Sequence, residues 1–103
     1  MKTPTLVLFT PAEVRKSLGS RTKELRLLKG WTRNTLANRA GISVSSLKRF
    51  ETTGKGSLEL VLKAAYALGR LEEFGKLLDP PTARSMAELE RRAELGGRKR
   101  GRI

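Results

Sequence analysis

Apolar residues recur at helical spacing along most of the chain. Val14, Leu18, Thr22, Leu25 and Leu28 follow one another at intervals of three or four, which places them on one face of a helix. Thr10-Pro11-Ala12-Glu13 reads as its start: Thr10 caps, Pro11 suits the first helical position, and Glu13 completes a capping box. Gly19 weakens the middle by about 1 kcal/mol relative to Ala, so one bent helix and two separate pieces are both open; Gly30 ends it. Thr32 caps a short second helix through Arg39, with Leu36 and Ala40 inward. Gly41 turns the chain, and Ser43 caps a third helix that carries Leu47 and Phe50 inward. After a turn from Thr52 to Gly56, Ser57 caps a fourth helix that Gly69 ends, with Leu58, Val61, Leu62, Ala65 and Leu68 as its apolar stripe. A fifth is expected from Leu71 to Leu78, with Phe74 and Leu78 on one face, stopped by Pro80-Pro81.

Two segments flank this helical run. Thr5 to Phe9 is a short, apolar, partly β-branched stretch, long enough for one strand or an extended arm. Beyond the prolines, Ser85-Met86-Ala87-Glu88 forms another capping box, and Met86, Leu89 and Ala93 make a narrow apolar stripe that Gly96-Gly97 should end. The last residues, Arg98-Lys99-Arg100-Gly101-Arg102, are a short basic run expected to be disordered. The pattern therefore divides the chain into an arm or dimer strand (1–10), an all-α five-helix domain (11–79), and a short helix with a basic tail (80–103). No internal repeat is present.

Charge narrows the class of partner. The 103 residues hold 22 Lys and Arg against 10 Asp and Glu, a formal charge of +12 and a pI near 11.2. Such an excess calls for a polyanion: nucleic acid first, an anionic membrane surface second. Between Arg15 and Lys55 only Glu24 and Glu51 oppose eleven basic side chains. The chain has no cysteine and no histidine, so disulfides, a zinc site and thiolate or imidazole catalysis are excluded, and a reducing, cytoplasmic setting fits. Asp79 is its one Asp, which leaves general acid-base chemistry few candidates. An enzyme is not expected, and no cofactor is implied. No apolar run approaches the ~20 residues of a membrane span, and no signal peptide is read at Met1-Lys2. The aromatics Phe9, Trp31, Phe50, Tyr66 and Phe74 mostly occupy apolar positions of the helical patterns. Single-strand binders need exposed aromatics between basic residues, so duplex DNA is the better match.

Gly54-Lys55-Gly56-Ser57 has the flavour of a phosphate loop. A P-loop needs Gly, four residues, then Gly-Lys followed directly by Ser or Thr, after a strand; neither condition holds. Two readings remain: an ordinary turn, or a place where the turn and the next helix N-terminus meet a DNA phosphate.

Residues 32–51, TRNTLANRAGISVSSLKRFE, carry the most specific pattern. Two short helices meet at a tight turn, the sequence form of a helix-turn-helix. Ala37 is small where the second helix crosses, Gly41 supplies positive φ, and Ile42 and Leu47 plug the corner. Val44, Ser45, Lys48 and Arg49 are left facing away. Leu25-Arg26, Gly30-Trp31-Thr32, Leu36-Ala37, Gly41-Ile42-Ser43, Leu47 and Glu51 resemble the Xre family of lambda-repressor-like domains over roughly residues 15–78. That family usually begins the first motif helix with Gln, which braces a phosphate and a recognition-helix side chain; this chain has Arg33 there, a longer cation that can hold a phosphate. The resemblance implies that Glu51 pairs with Arg26, where it would otherwise be a solvated carboxylate. Leu47-Lys48-Arg49-Phe50-Glu51, Thr53-Gly54, Ser57-Leu58 and the tail are further similar to HipB-like antitoxins, which bind HipA-type kinase toxins and repress their shared promoter.

The expected function is sequence-specific repression on a double-stranded DNA operator, with residues 43–51 in the major groove. Arg49 is expected to read a guanine through O6 and N7, and Lys48 to meet phosphate. Ser45 would donate to a base edge or a phosphate, and Val44 would touch a thymine methyl. Arg33, Ser43 and Lys55 complete the expected DNA-facing set. A two-fold homodimer is expected, through the Leu6–Phe9 strand in preference to the surface around Leu71, Phe74 and Leu78. Other readings are a phage-type repressor, a restriction-modification controller, or a non-DNA adaptor whose basic surface meets an acidic protein. The basic tail is open to three uses: solvated end, DNA arm, or partner-binding segment.

Overall fold

The computed structural model describes residues 9–99, and every regular element among them is an α-helix: α1 (Pro11–Leu28), α2 (Arg33–Ala40), α3 (Val44–Thr53), α4 (Leu58–Ala67), α5 (Leu71–Gly75) and α6 (Met86–Lys99). This is the all-α architecture expected from the sequence. The Thr5–Leu8 part of the expected strand and residues 100–103 of the basic tail lie outside the described residues.

Local chemistry sets most boundaries. At the start of α1 the Glu13 N–H donates to Thr10 Oγ1, and the Thr10 N–H donates to Glu13 Oε1, both at 3.1 Å. Thr32, Ser43 and Ser57 accept in the same way from Thr35, Ser46 and Leu60, each satisfying a donor that the first helical turn leaves without a partner. Of the two outcomes open at Gly19, α1 takes the first, a single helix.

Four expectations are corrected. The fifth helix stops at Gly75 rather than Leu78; Leu78 has a φ of 62° and is 99% exposed, so only Phe74 of the expected pair turns toward the body. α3 runs to Thr53, two residues past Glu51, because Gly54 caps it in the left-handed region. α4 is rotated from the expected register: Leu60, Ala64, Ala65 and Leu68 are buried and Leu58 is exposed. Gly96-Gly97 does not end the last helix, which continues to Lys99; glycine weakens a helix without forbidding it.

The core lies where α2, α3 and α4 converge. Leu36, Ala37, Leu47 and Leu68 form its centre, with Leu25, Trp31, Ala40, Ile42 and Ala67 packed around it. Leu36, Leu47 and Phe50 are the largest fully buried side chains, each stabilising the fold by about 1.5–3 kcal/mol. Two of the three lie on α3, so the same burial that holds the domain together orients that helix. α1 packs mainly on α3, while α2 packs on both α3 and α4.

Candidate nucleic-acid interface

The turn between α2 and α3 is built from the backbone outward. Gly41 takes φ 72° and ψ 37°, a region open to glycine and strained for most other residues. That conformation aims both its own N–H and that of Ile42 at the Ala37 carbonyl, the latter at 3.0 Å. Ala37 is 1% exposed beneath the crossing, where a larger side chain would separate the helices. Ser43 then starts α3, and its Oγ also bonds the Ser46 hydroxyl at 2.8 Å.

α3 is two-sided. Leu47, Phe50 and Glu51 are buried, whereas Val44, Ser45, Lys48 and Arg49 are exposed. The Thr52 and Thr53 hydroxyls donate back to the Lys48 and Arg49 carbonyls, so they belong to the helix surface itself. The outward set is thus one apolar contact, one hydroxyl and two cations on a single helix face. Exposed Lys55 follows in the turn, its N–H donating to Thr53 Oγ1 at 3.0 Å. Exposed Ser43 stands at the other end of α3, its Oγ engaged as the cap.

A buried ion-pair network holds this face in place. Arg26 Nε and Nη2 donate to the two oxygens of Glu51 at 2.7 and 2.9 Å, and Arg26 Nη1 donates to the Trp31 carbonyl at 2.9 Å. The Arg26 and Glu51 side chains are 6% and 1% exposed, so Glu51 is not a solvated carboxylate. Arg33, at the first position of α2, adds its Nε to Glu51 Oε1 at 2.9 Å with a side chain 32% exposed. One carboxylate therefore joins α1, α2 and α3, and a charge-assisted, bidentate pair fixes orientation as well as distance. Arg33 was expected at the DNA; it is half-exposed and tied at Nε to Glu51 of α3.

Two supports were not anticipated. Gly19 and Gly54 are where α1 and α3 meet most closely: a Cβ on Gly19 would lie 2.1 Å from the Phe50 carbonyl oxygen, and one on Gly54 2.3 Å from that of Arg15. The available signal was an isolated glycine inside a helical pattern, which marks close packing as readily as weakness. The other is half-buried Trp31, with the Arg39 guanidinium 4.5 Å and the Lys29 ammonium 5.3 Å from the ring centre, within cation–π range.

No helix among the described residues is long and apolar enough to cross a membrane. Residues 23–74, just over half of the chain, match the family model described as Helix-turn-helix. No curated protein and no solved structure matches the chain. The matched span runs from the second half of α1 to Phe74 and contains the α2–turn–α3 unit, the Arg26–Glu51 pair and every residue of the outward face. The chain belongs to the helix-turn-helix family, and it is a DNA-binding transcription regulator.

Proposed function

We propose that the protein is a sequence-specific repressor that binds duplex DNA as a two-fold homodimer, with α3 in the major groove. The observation that carries this reading is the two-sidedness of α3, which buries Leu47, Phe50 and Glu51 and leaves Val44, Ser45, Lys48 and Arg49 in solvent. Arg49 has the fork geometry to meet guanine O6 and N7, Ser45 a hydroxyl for a base edge or phosphate, and Val44 a surface for a thymine methyl. Lys48, Arg33 and Lys55 contact phosphates, and the N-terminus of α3 at Ser43 approaches the groove first. One domain of this size reads only a few base pairs. Pairing two recognition helices about 34 Å apart doubles the site on a near-palindromic operator.

The resemblance of Leu47–Glu51, Thr53-Gly54 and Ser57-Leu58 to HipB-like antitoxins supports a finer reading: a cytoplasmic antitoxin that binds a HipA-type kinase and represses their shared promoter. Co-purification with the product of an adjacent kinase gene tests it; a phage or methylase gene in that place contradicts it.

Retention on heparin followed by a gel shift tests the repressor reading. A repressor shifts its promoter DNA far better than a scrambled duplex of equal length, whereas an adaptor with a merely basic surface shifts both alike.

A further inference from the structure

The apolar stripe of α1 is only partly used by the fold. The most buried residues of α1 are Gly19 and Arg26, at the packing against α3 and Glu51, while Leu18 and Leu25 are half-buried and Leu28 is 79% exposed. With Val61 of α4 and Phe74 of α5 these leucines line an open groove of about 240 Å³. No residue of α2 or α3 lines it, so filling it leaves the DNA-facing surface free. The opposite deficiency occurs at α6. Its Met86 and Leu89 are 69% and 49% exposed, they share one face with Ala93, and no extensive helix packing involves α6. The chain carries an unfilled apolar groove and, ten residues beyond α5, an unburied apolar stripe.

We propose that α6 of a second copy lies in this groove, and that the exchange is reciprocal about the two-fold axis of the dimer. The inference rests on the homodimer reading and names its surface. Size fits: a site of roughly 150 Å³ holds one benzene-sized guest, so the groove has room for about two side chains such as Met86 and Leu89. Charge is mixed on both sides: α6 carries Glu88, Glu90 and Glu94 among Arg91, Arg92, Arg98 and Lys99, and the groove rim holds Arg21 and Arg70 with Glu24 and Glu73, so apolar contact carries the fit. The connection favours a partner over self-docking: Pro80-Pro81 is a stiff, extended spacer, and residues 76–85 span up to about 33 Å when drawn out. The groove borders α5 itself, so α6 of the same chain would have to reverse sharply across that spacer.

The native chain has no cysteine, which makes the test direct. Leu28→Cys and Leu89→Cys each replace an exposed side chain, so both proteins should fold. Mixed under oxidising conditions, the two single variants should give a disulfide-linked heterodimer, while each alone gives none. Light scattering of the full chain should give twice the monomer mass, and Leu89→Glu should return it to one, with helix content unchanged. A monomeric wild type at tens of micromolar overturns both this inference and the homodimer reading. A wild-type dimer that survives Leu89→Glu and yields no mixed disulfide overturns the α6 surface alone. A double variant that closes its disulfide within one chain overturns the second copy as occupant.

Discussion

A methyl group placed on Gly19 would stand 2.1 Å from the carbonyl oxygen of Phe50, so α1 and α3 meet there backbone to backbone. One turn earlier on α1, the Arg15 carbonyl leaves no room for a side chain on Gly54. These two approaches set the depth at which α3 is seated. On a free helix surface, Gly19→Ala would stabilise by about 1 kcal/mol. Here the sign reverses. Forcing the helices apart should cost about 1–3 kcal/mol, read as a lower melting temperature, and DNA binding should weaken further because α3 moves. A stabilised Gly19→Ala protein would show that the two helices separate freely.

Glu51 is expected to be the most sensitive carboxylate in the chain. Glu51→Ala removes the partner of Arg26, a guanidinium with a side chain only 6% exposed, and stranding a buried charge costs about 3–5 kcal/mol. Arg33→Ala removes a partner that is 32% exposed, and should cost no more than about 1 kcal/mol. Its larger effect should appear in DNA affinity, since it frees one end of the α2–α3 tie and removes a cation beside the groove. Denaturant unfolding of both variants checks the order. Equal losses would mean that the Arg33 contact, and not the Arg26 pair, carries the stability of the network.

What could be read from the sequence was whatever depends on neighbours along the chain. The capping residues Thr10, Thr32, Ser43 and Ser57, and the positive φ at Gly41, follow from a few consecutive residues, and the structure has them all. The register of α4 was not legible in the same way. Of the expected stripe Leu58, Val61, Leu62, Ala65 and Leu68, only Ala65 and Leu68 are buried, and Leu60 and Ala64 turn inward beside them; packing against α2 and α5 decides that register, not the spacing. Gly19 looked like a weak point because its reason, the Phe50 carbonyl, lies 31 positions away in the sequence. Arg33 looked like a free cation for the same reason: its tie to Glu51 spans 18 positions. The outward face of α3 was legible because Leu47 and Phe50 fix which side is buried.

α6 should respond to acid through Glu88. The Arg84 backbone N–H, donating at 2.7 Å, holds the Glu88 carboxyl below the ordinary glutamate range, with help from the Arg92 guanidinium at 2.9 Å. A carboxyl with a lowered folded-state value adds stability that is complete above its unfolded value, about 4.3, and is lost as pH falls through the folded value. The first turn of α6 should therefore fray on acidification, below the pH at which a free glutamate titrates. NMR shifts of residues 84–89 report it, and Glu88→Gln should remove the pH dependence. A Glu88 midpoint at or above the ordinary value would contradict the assignment.

The central claim is that α3 reads base pairs, and selection of operator variants by the Arg49→Ala protein tests it most directly. Lys48→Ala provides the control for charge. As a phosphate contact, Lys48 should weaken binding uniformly across sequences and flatten the salt dependence of affinity by about one counterion. Arg49→Ala should instead cost about 1–3 kcal/mol on the preferred operator and erase discrimination at a single base pair of each half-site, leaving the other positions ranked as before. An unchanged ranking at every position, with affinity lowered only as Lys48→Ala lowers it, would show that Arg49 touches phosphate and that the exposed face of α3 does not read sequence in the way described.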